Sequence, residues 1–315
     1  MTPRKFWVGV TDDSWFKFLS SRRELSEVNF WLPMGFRTFK VLQPGEPFLF
    51  KLHSPNNYIV GGGYFQSATR FPVDIAWEYF EEKNGARSAE EMRAQIERYR
   101  RSRGVVTGPH ETYEIGCLLL LAPFFFDRRD WIPVPPSWSP NLVTGKSFST
   151  DEPEGRNLWE AVQQRRVGSE IRELPPALYE DRDVYGEPTL VYPRLGQGTF
   201  RALIADAYSR RCAATGEKAL PVLEAAHIKP ISRGGIHRID NGILLRSDLH
   251  RLFDLGYLGV GQNLALHVSS RLRSEFGNGE IYYPLEGHRL SVPNRSDLRP
   301  NLELLEWHAD TIFRP

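Results

Sequence analysis

The chain has 315 residues, of which 41% are hydrophobic and 25% are charged, and its formal net charge is +1. These values are ordinary for a globular protein of about two domains, and they exclude a disordered chain and a strongly basic nucleic-acid binder. Any contact with phosphate must therefore come from local clusters of Lys and Arg.

Two features bear on the cellular compartment. The N-terminal stretch MTPRKFWVGVTDDSW reaches aspartates before a long apolar core forms, so it is not expected to be a signal peptide, and the longest apolar run, 115–126, is too short to span a bilayer. Cys117 and Cys212 are far apart and belong to no paired motif, so no disulfide is implied. The sequence predicts a cytoplasmic protein without a membrane segment.

The first half mixes strand and helix patterns and carries three glycines in one predicted strand, at 61–63. Glycines inside a strand indicate a bulge or the close approach of another backbone. Ser88, with Glu91 three residues later, predicts the start of a helix. The predicted elements are a strand at 5–11, a short helix at 15–19, a turn followed by a strand in each of 44–52 and 56–65, helices at 72–84 and 88–101, and a buried strand at 115–121.

The motifs GEPFLFK, YIVGGGYF, AWEYF and IGCLLLLAPFFF, in this order, resemble the PUA-like group of small β-barrels, which includes the EVE and SRA readers of modified bases. The resemblance implies a DNA-reading domain at 1–150, with a base extruded into an aromatic pocket. In the predicted loop NFWLP, Asn29 could read a base edge while Phe30 or Trp31 stacks on its face. The alternative is that these residues belong to the core.

Residues 151–195 are rich in proline and charge and predict a connector, which leaves 196–315 as a second domain. Within 196–256 there are nine Lys or Arg and six Asp or Glu, a local excess of positive charge. The candidates for contact with the DNA backbone are Arg201, Arg211, Lys229 and Arg251. The alternative for each is an ordinary surface charge.

The stretch Leu223–Gly256 predicts a β-hairpin followed by a short helix. An apolar strand ends before Pro230, which cannot donate to a ladder, and a loop rich in Gly, Asp and Asn reverses the chain. Residues 242–246 form the predicted returning strand. Ser247 is the predicted N-cap of the helix, and Gly256 is its left-handed end.

The ordered set AAHIKP, GG, DNGILL and LHRLFD in this stretch resembles the HNH nuclease family. The resemblance implies a ββα-metal module in which His227 is the general base and Asn241 ties the hairpin together and orients that base. His250 corresponds to the metal ligand on the helix, and Asp254 to a second ligand one turn later. A neutral imidazole can deprotonate water, and a divalent cation stabilises charge on the phosphate, as phosphodiester hydrolysis requires.

The sequence departs from the family pattern just before the base. Many relatives have an aspartate or histidine ligand there, whereas this chain has Ala226. Glu224 points to the same side of the strand, so its longer side chain is an alternative ligand. Many relatives also brace the hairpin with zinc held by two CxxC pairs; this chain has none, so its hairpin must be held by packing.

The expected fold class is α+β, with a PUA-like domain that selects DNA and an HNH module that cuts it. The resemblance implies a modification-dependent restriction enzyme that uses Mg²⁺ or Mn²⁺, with Zn²⁺ as an alternative, and leaves 5′-phosphate ends. The expected partner is double-stranded DNA that carries modified bases; whether the chain forms a homodimer stays open. Two alternatives also stay open: a binding protein with an inactive HNH fold, and a general HNH nuclease indifferent to modification.

Overall fold

The computed structural model describes residues 5–22, 24–35, 39–108, 111–139, 141–142, 144–168 and 195–315. They form two compact units, which lie within Met1–Val191 and Tyr192–Pro315. Both units combine strands and helices, so the predicted α+β class is confirmed. No helix within the described ranges is long and apolar enough to cross a membrane.

The N-terminal unit is built on one seven-stranded sheet. The sheet has the order β2-β5-β4-β3-β1-β7, and β6 pairs with β4. Strands β1 and β3 are parallel, whereas the other pairs are antiparallel. The strands are β1 (Lys5–Thr11), β2 (Glu27–Leu32), β3 (Pro47–Leu52), β4 (Tyr58–Pro72), β5 (Glu114–Phe125), β6 (Ile132–Pro133) and β7 (Gly145–Ser149). The helices are α1 (Asp13–Ser20), α2 (Val73–Phe80), α3 (Ala89–Ser102) and α4 (Pro153–Gly168).

The glycine run of β4 lies where neighbouring strands approach closely. A Cβ on Gly61 would lie 2.2 Å from the carbonyl oxygen of Phe124, and a Cβ on Gly62 would lie 2.8 Å from that of Phe48. The pairing of β4 with β5 also shifts register between Gly62 and Tyr64. The expected bulge and the expected close backbone approach are both confirmed.

The segment predicted as a base-binding loop is strand β2, so the loop prediction is wrong. Asn29, Phe30 and Trp31 are 0%, 4% and 7% exposed. The Phe30 ring lies 4.8 Å from that of Phe48, and the indole N–H of Trp31 donates to the carbonyl oxygen of Asn84 at 3.0 Å. Both aromatic side chains are therefore packed in the core of the unit and do not line an open pocket.

Helix α4, which falls within the predicted connector, packs into the N-terminal unit. Leu158, Trp159 and Val162 of this helix belong to the same buried cluster as Phe6 and Phe148. The rings of Phe6 and Trp159 lie 5.8 Å apart. The rest of the predicted connector, 169–194, lies outside the described residues.

The C-terminal unit places a hairpin between two helices. Strands β8 and β9 are antiparallel, with His227 opposite Gly242. Both helices α5 and α6 contact both strands of this hairpin. The elements of the unit are α5 (Gln197–Ala207), β8 (Leu223–His227), β9 (Gly242–Arg246), α6 (Ser247–Leu255), β10 (Leu258–Val260), β11 (Leu266–Val268), α7 (Arg271–Phe276) and α8 (Leu302–Thr311).

Helix α6 differs from its prediction at one end only. Its N-cap is Arg246 and not Ser247, and no side chain caps the backbone there. The guanidinium of Arg246 instead donates to both carboxylate oxygens of Asp248, at 2.7 and 2.8 Å. At the other end Gly256 has a φ of +81°, so the predicted left-handed end is confirmed.

Candidate active site

Helix α5 holds His227 at the end of strand β8. The rings of His227 and Phe200 are stacked, with centroids 4.2 Å apart and planes 9° from parallel. The helix reaches this position because Gly242 has no side chain: a Cβ there would lie 2.4 Å from Ile204 Cδ1 and 2.9 Å from Phe200 Cζ. The glycine opposite His227 thus allows the aromatic contact that fixes the imidazole.

The surroundings of His227 keep its imidazole neutral. Burial is the main cause that lowers its pKa to about 4, and the charges that Arg201 carries and that His237 and His250 acquire on protonation act in the same direction. A ring with this pKa carries a lone pair at neutral pH and can accept a proton. The influence of His250 and Arg201 also shows that side chains from α5 and α6 converge on one imidazole.

His237 was not singled out by the sequence analysis, yet it contacts His227 directly. Its Nδ1 lies 3.0 Å from Nε2 of His227, within hydrogen-bond distance. The only signal in the sequence was a second histidine ten residues after the first, at the end of the Gly-Gly loop.

Asn241 ties together the two ends of the hairpin connection. Its Oδ1 accepts a hydrogen bond from the backbone N–H of Lys229 at 2.8 Å. Its Nδ2 donates to the carbonyl oxygens of Lys229 and Ile236, both at 3.0 Å. Asn241 is 1% exposed, so these hydrogen bonds form without competition from water. The side chain therefore fixes the backbone two residues after His227.

His250 lies between two carboxylates. Its Nδ1 is 2.5 Å from Oε2 of Glu224 on β8, and its Nε2 is 3.4 Å from Oδ2 of Asp254 one turn later on α6. Burial raises the pKa of Asp254, while the positive charges of His250 and Arg251 oppose that rise. Ala226, where many HNH relatives have a ligand, is fully buried.

The donor atoms around His250 fit a divalent cation. If Nδ1 carries the proton and donates to Glu224, the lone pair of Nε2 faces the carboxylate of Asp254, and two acceptors that face each other favour a cation between them. A nitrogen and an oxygen that bind one cation at about 2.0–2.2 Å lie roughly 3.0–3.5 Å apart, in agreement with the observed 3.4 Å. In the part of the chain that the structure describes, no three His, Cys, Asp or Glu side chains are grouped to hold a metal. Mg²⁺ commonly completes its shell with water and substrate phosphate.

The four basic residues predicted to contact DNA have different surroundings. The charge of Arg201 on α5 lowers the pKa of His227, and the charge of Arg251 on α6 opposes the rise in the pKa of Asp254, so both arginines lie beside the site. The ammonium of Lys229 lies 5.2 Å from the ring centre of Trp307. Arg211 lines a groove of about 600 Å³ whose other lining residues include Tyr208, Asn294 and Arg295.

Two solved structures overlap partly with the chain. One is an ASCH protein from Zymomonas mobilis, with a TM-score of 0.33 and 13% identity over 50% of this chain and 95% of that chain. The other is described as the modification-dependent TagI restriction endonuclease, with a TM-score of 0.28 and 12% identity over 96% of this chain and 81% of that chain. TM-scores below 0.5 do not establish a shared fold. Curated protein sequences give no match.

A family model covers the hairpin, helix α6 and strand β10. Residues 212–261 match the model HNH_2, described as HNH endonuclease. The matched range contains His227, Asn241, His250 and Asp254, together with the two residues that contact the histidines, Glu224 and His237. The chain therefore carries an HNH endonuclease domain at residues 212–261.

Proposed function

We propose that the protein is a metal-dependent DNA endonuclease that hydrolyses phosphodiester bonds at His227. The observation that supports this most directly is the position of the His227 ring, which stacks on Phe200 and lies in the same ββα module as the candidate ligands His250 and Asp254. An imidazole near a metal-ligand set is what general-base hydrolysis of a phosphodiester needs.

The reaction divides among the side chains as follows. His227 takes a proton from a water molecule, and the resulting hydroxide attacks phosphorus in line with the leaving oxygen. His250 and Asp254 would hold a divalent cation, Mg²⁺ or Mn²⁺ with Zn²⁺ as an alternative, and that ion would supply positive charge that stabilises the phosphate and the leaving oxygen as the P–O bond breaks. Glu224 fixes the orientation of His250 and does not bind the cation itself. Arg201 and Arg251 contact the DNA backbone beside the site.

The proposed substrate is double-stranded DNA that carries modified bases, and the N-terminal unit selects it. The support is the resemblance of the motifs in that unit to PUA-like readers of modified bases. The side chains of Asn29, Phe30 and Trp31 are in the core, so base reading falls to other residues of the unit. On this proposal the N-terminal unit determines which DNA is bound, and the HNH domain cuts it.

A cleavage assay tests both parts of the proposal. Unmodified, methylated and hydroxymethylated DNA of one sequence is incubated with the protein, with EDTA or with Mg²⁺, Mn²⁺ or Zn²⁺. We expect cleavage only with a divalent ion and only of one modified DNA. Equal cleavage of all three substrates would instead show a general nuclease. Binding of modified DNA without cleavage under any ion would show an inactive HNH fold.

Two variants assign the chemistry to His227. His227→Ala should remove cleavage and leave DNA binding unchanged, because it deletes the base and no contact to the DNA backbone. His288→Ala is the matched control, since His288 is an exposed histidine of the same unit. Cleavage by His227→Ala at the rate of the control would rule out His227 as the base.

A further inference from the structure

We propose that His237 is a positioning residue for the general base: its Nδ1 pairs with Nε2 of His227, fixes the tautomer of that ring and stabilises the imidazolium that forms during hydrolysis. This inference rests on the proposed nuclease function. It assigns a role to a residue outside the expected set of His227, Asn241, His250 and Asp254.

Two kinds of contact join the imidazoles. The nitrogen atoms lie 3.0 Å apart, and the ring centroids lie 5.0 Å apart with planes at 55°. The ring of Phe200 contacts both imidazoles, because its centroid is 4.2 Å from that of His227 and 5.5 Å from that of His237. The two histidines and Phe200 therefore form a packed group of three rings, in which one hydrogen bond joins the two imidazoles.

The backbone around His237 is held on both sides. The carbonyl oxygen of His237 accepts a hydrogen bond from the N–H of Leu195 at 3.2 Å. The carbonyl oxygen of Ile236 accepts hydrogen bonds from Arg238 N at 2.9 Å and from Asn241 Nδ2 at 3.0 Å. Asn241 also holds Lys229, two residues after His227, so one side chain fixes the backbones near both histidines.

The contact between the rings can contain only one proton. When Nε2 of His227 carries that proton, Nδ1 of His237 accepts it, and the hydrogen bond sets the tautomer of His227. During hydrolysis an O–H bond of water breaks and its proton joins His227, which becomes an imidazolium ion. The N–H at Nε2 of that ion donates to the lone pair at Nδ1 of His237, so the charge forms next to an acceptor. This is the relation of a base to its orienting group in nucleophilic and general-base sites.

Two substitutions separate the hydrogen bond from the packing. His237→Phe keeps a ring against Phe200 and removes the nitrogen, whereas His237→Asn keeps a polar atom near the position of Nδ1. We expect His237→Phe to lower kcat by about 100-fold with KM little changed, since general-base catalysis contributes roughly 10²- to 10⁴-fold. His237→Asn should stay within about tenfold of the wild type. His288→Phe, the same substitution at an exposed histidine of the unit, should not change kcat.

Two kinetic results would overturn the role of His237. One is a kcat for His237→Phe equal to that of the wild type. The other is an equal loss in His237→Phe and His237→Asn, because a purely structural role does not distinguish a polar replacement from an apolar one. If the wild type itself cleaves no DNA, the proposed function fails, and the pairing is then decided by a measurement that needs no substrate.

That measurement is an NMR titration of the histidine rings in the free, full-length protein. Coupled groups titrate in steps that belong to the pair, so the ring signal of His227 should show in the wild type a titration step that is absent from His237→Asn. Arg201 on α5 and His250 on α6, the other charged groups that act on His227, are present in both proteins and cancel in the comparison. Identical titration of His227 in the two proteins would overturn the pairing.

Discussion

Replacing Asn241 with alanine should destabilise the hairpin of the HNH domain and shift the position of His227. The substitution removes three hydrogen bonds. Two of them join the side chain to the N–H and the carbonyl oxygen of Lys229, and the third joins it to the carbonyl oxygen of Ile236. At about 1 kcal/mol for each buried hydrogen bond, the expected loss in the free energy of unfolding is about 3 kcal/mol. Since every 1.4 kcal/mol is tenfold, amide hydrogens of the hairpin should exchange roughly 100-fold faster.

Hydrogen–deuterium exchange with mass spectrometry on peptides of β8 and β9 measures this change in the HNH domain alone. Asn241→Asp keeps the acceptor for Lys229 but puts a second carboxylate oxygen against two carbonyl oxygens, so it should be no milder than alanine. Asn278→Ala, at an exposed position of the same unit, is the control and should change stability by less than about 0.5 kcal/mol. Unchanged exchange in Asn241→Ala would refute the role of these hydrogen bonds.

Three further predictions address other parts of the molecule. Burial lowers the pKa of His308 to about 4, so the ring is neutral in the folded protein at pH 7. The neutral ring contributes about 3 kcal/mol to the free energy of unfolding above pH 6.5, and this contribution is lost as the pH falls to about 4. The stability gap between the wild type and His308→Gln should narrow by that amount over this range, and a constant gap would contradict the assignment. Trp31→Ala should destabilise the N-terminal unit by about 3–5 kcal/mol in thermal unfolding, and should weaken binding of modified and unmodified DNA alike, because Trp31 is in the core. Glu224→Gln should weaken Mn²⁺ binding by roughly 10- to 100-fold, as measured by calorimetry. The control Glu286→Gln, which alters the partner of His267, should leave the Mn²⁺ affinity unchanged. Equal Mn²⁺ affinities of Glu224→Gln and the wild type would exclude Glu224 as the residue that orients His250.

The local order of the HNH domain could be predicted because its signals lie in adjacent residues. Pro230 and the glycines of the loop set the limits of β8, and Gly256 ends α6 in the left-handed conformation, as expected. These features depend on backbone preferences that each residue carries with it. The N-cap of α6 is Arg246, one residue before the expected Ser247, and its guanidinium donates to Asp248 in the first turn.

Contacts between distant residues could not be read from the sequence. Phe200 precedes His227 by 27 positions, and no periodic pattern indicates that their rings stack. In the same way, no motif indicates that His308 on α8 is buried and that its ring stacks on that of Phe253, with centroids 3.7 Å apart. The aromatic residues of β2 look alike in a loop and in a core strand, and only the pairing with β5 decides between them. Tertiary packing determined each of these outcomes.

The packing of α5 against Gly242 helps hold the hairpin of the HNH domain in a chain that has no CxxC pair for a bracing zinc ion. Phe200 and Ile204 fill the space that a side chain at Gly242 would take, and the sulfur of Cys212 accepts the N–H of Arg246 at 3.3 Å instead of binding zinc. On the proposed function, a chelator that removes the cation held by His250 and Asp254 should therefore abolish cleavage and leave the HNH domain folded, and adding the ion back should restore cleavage.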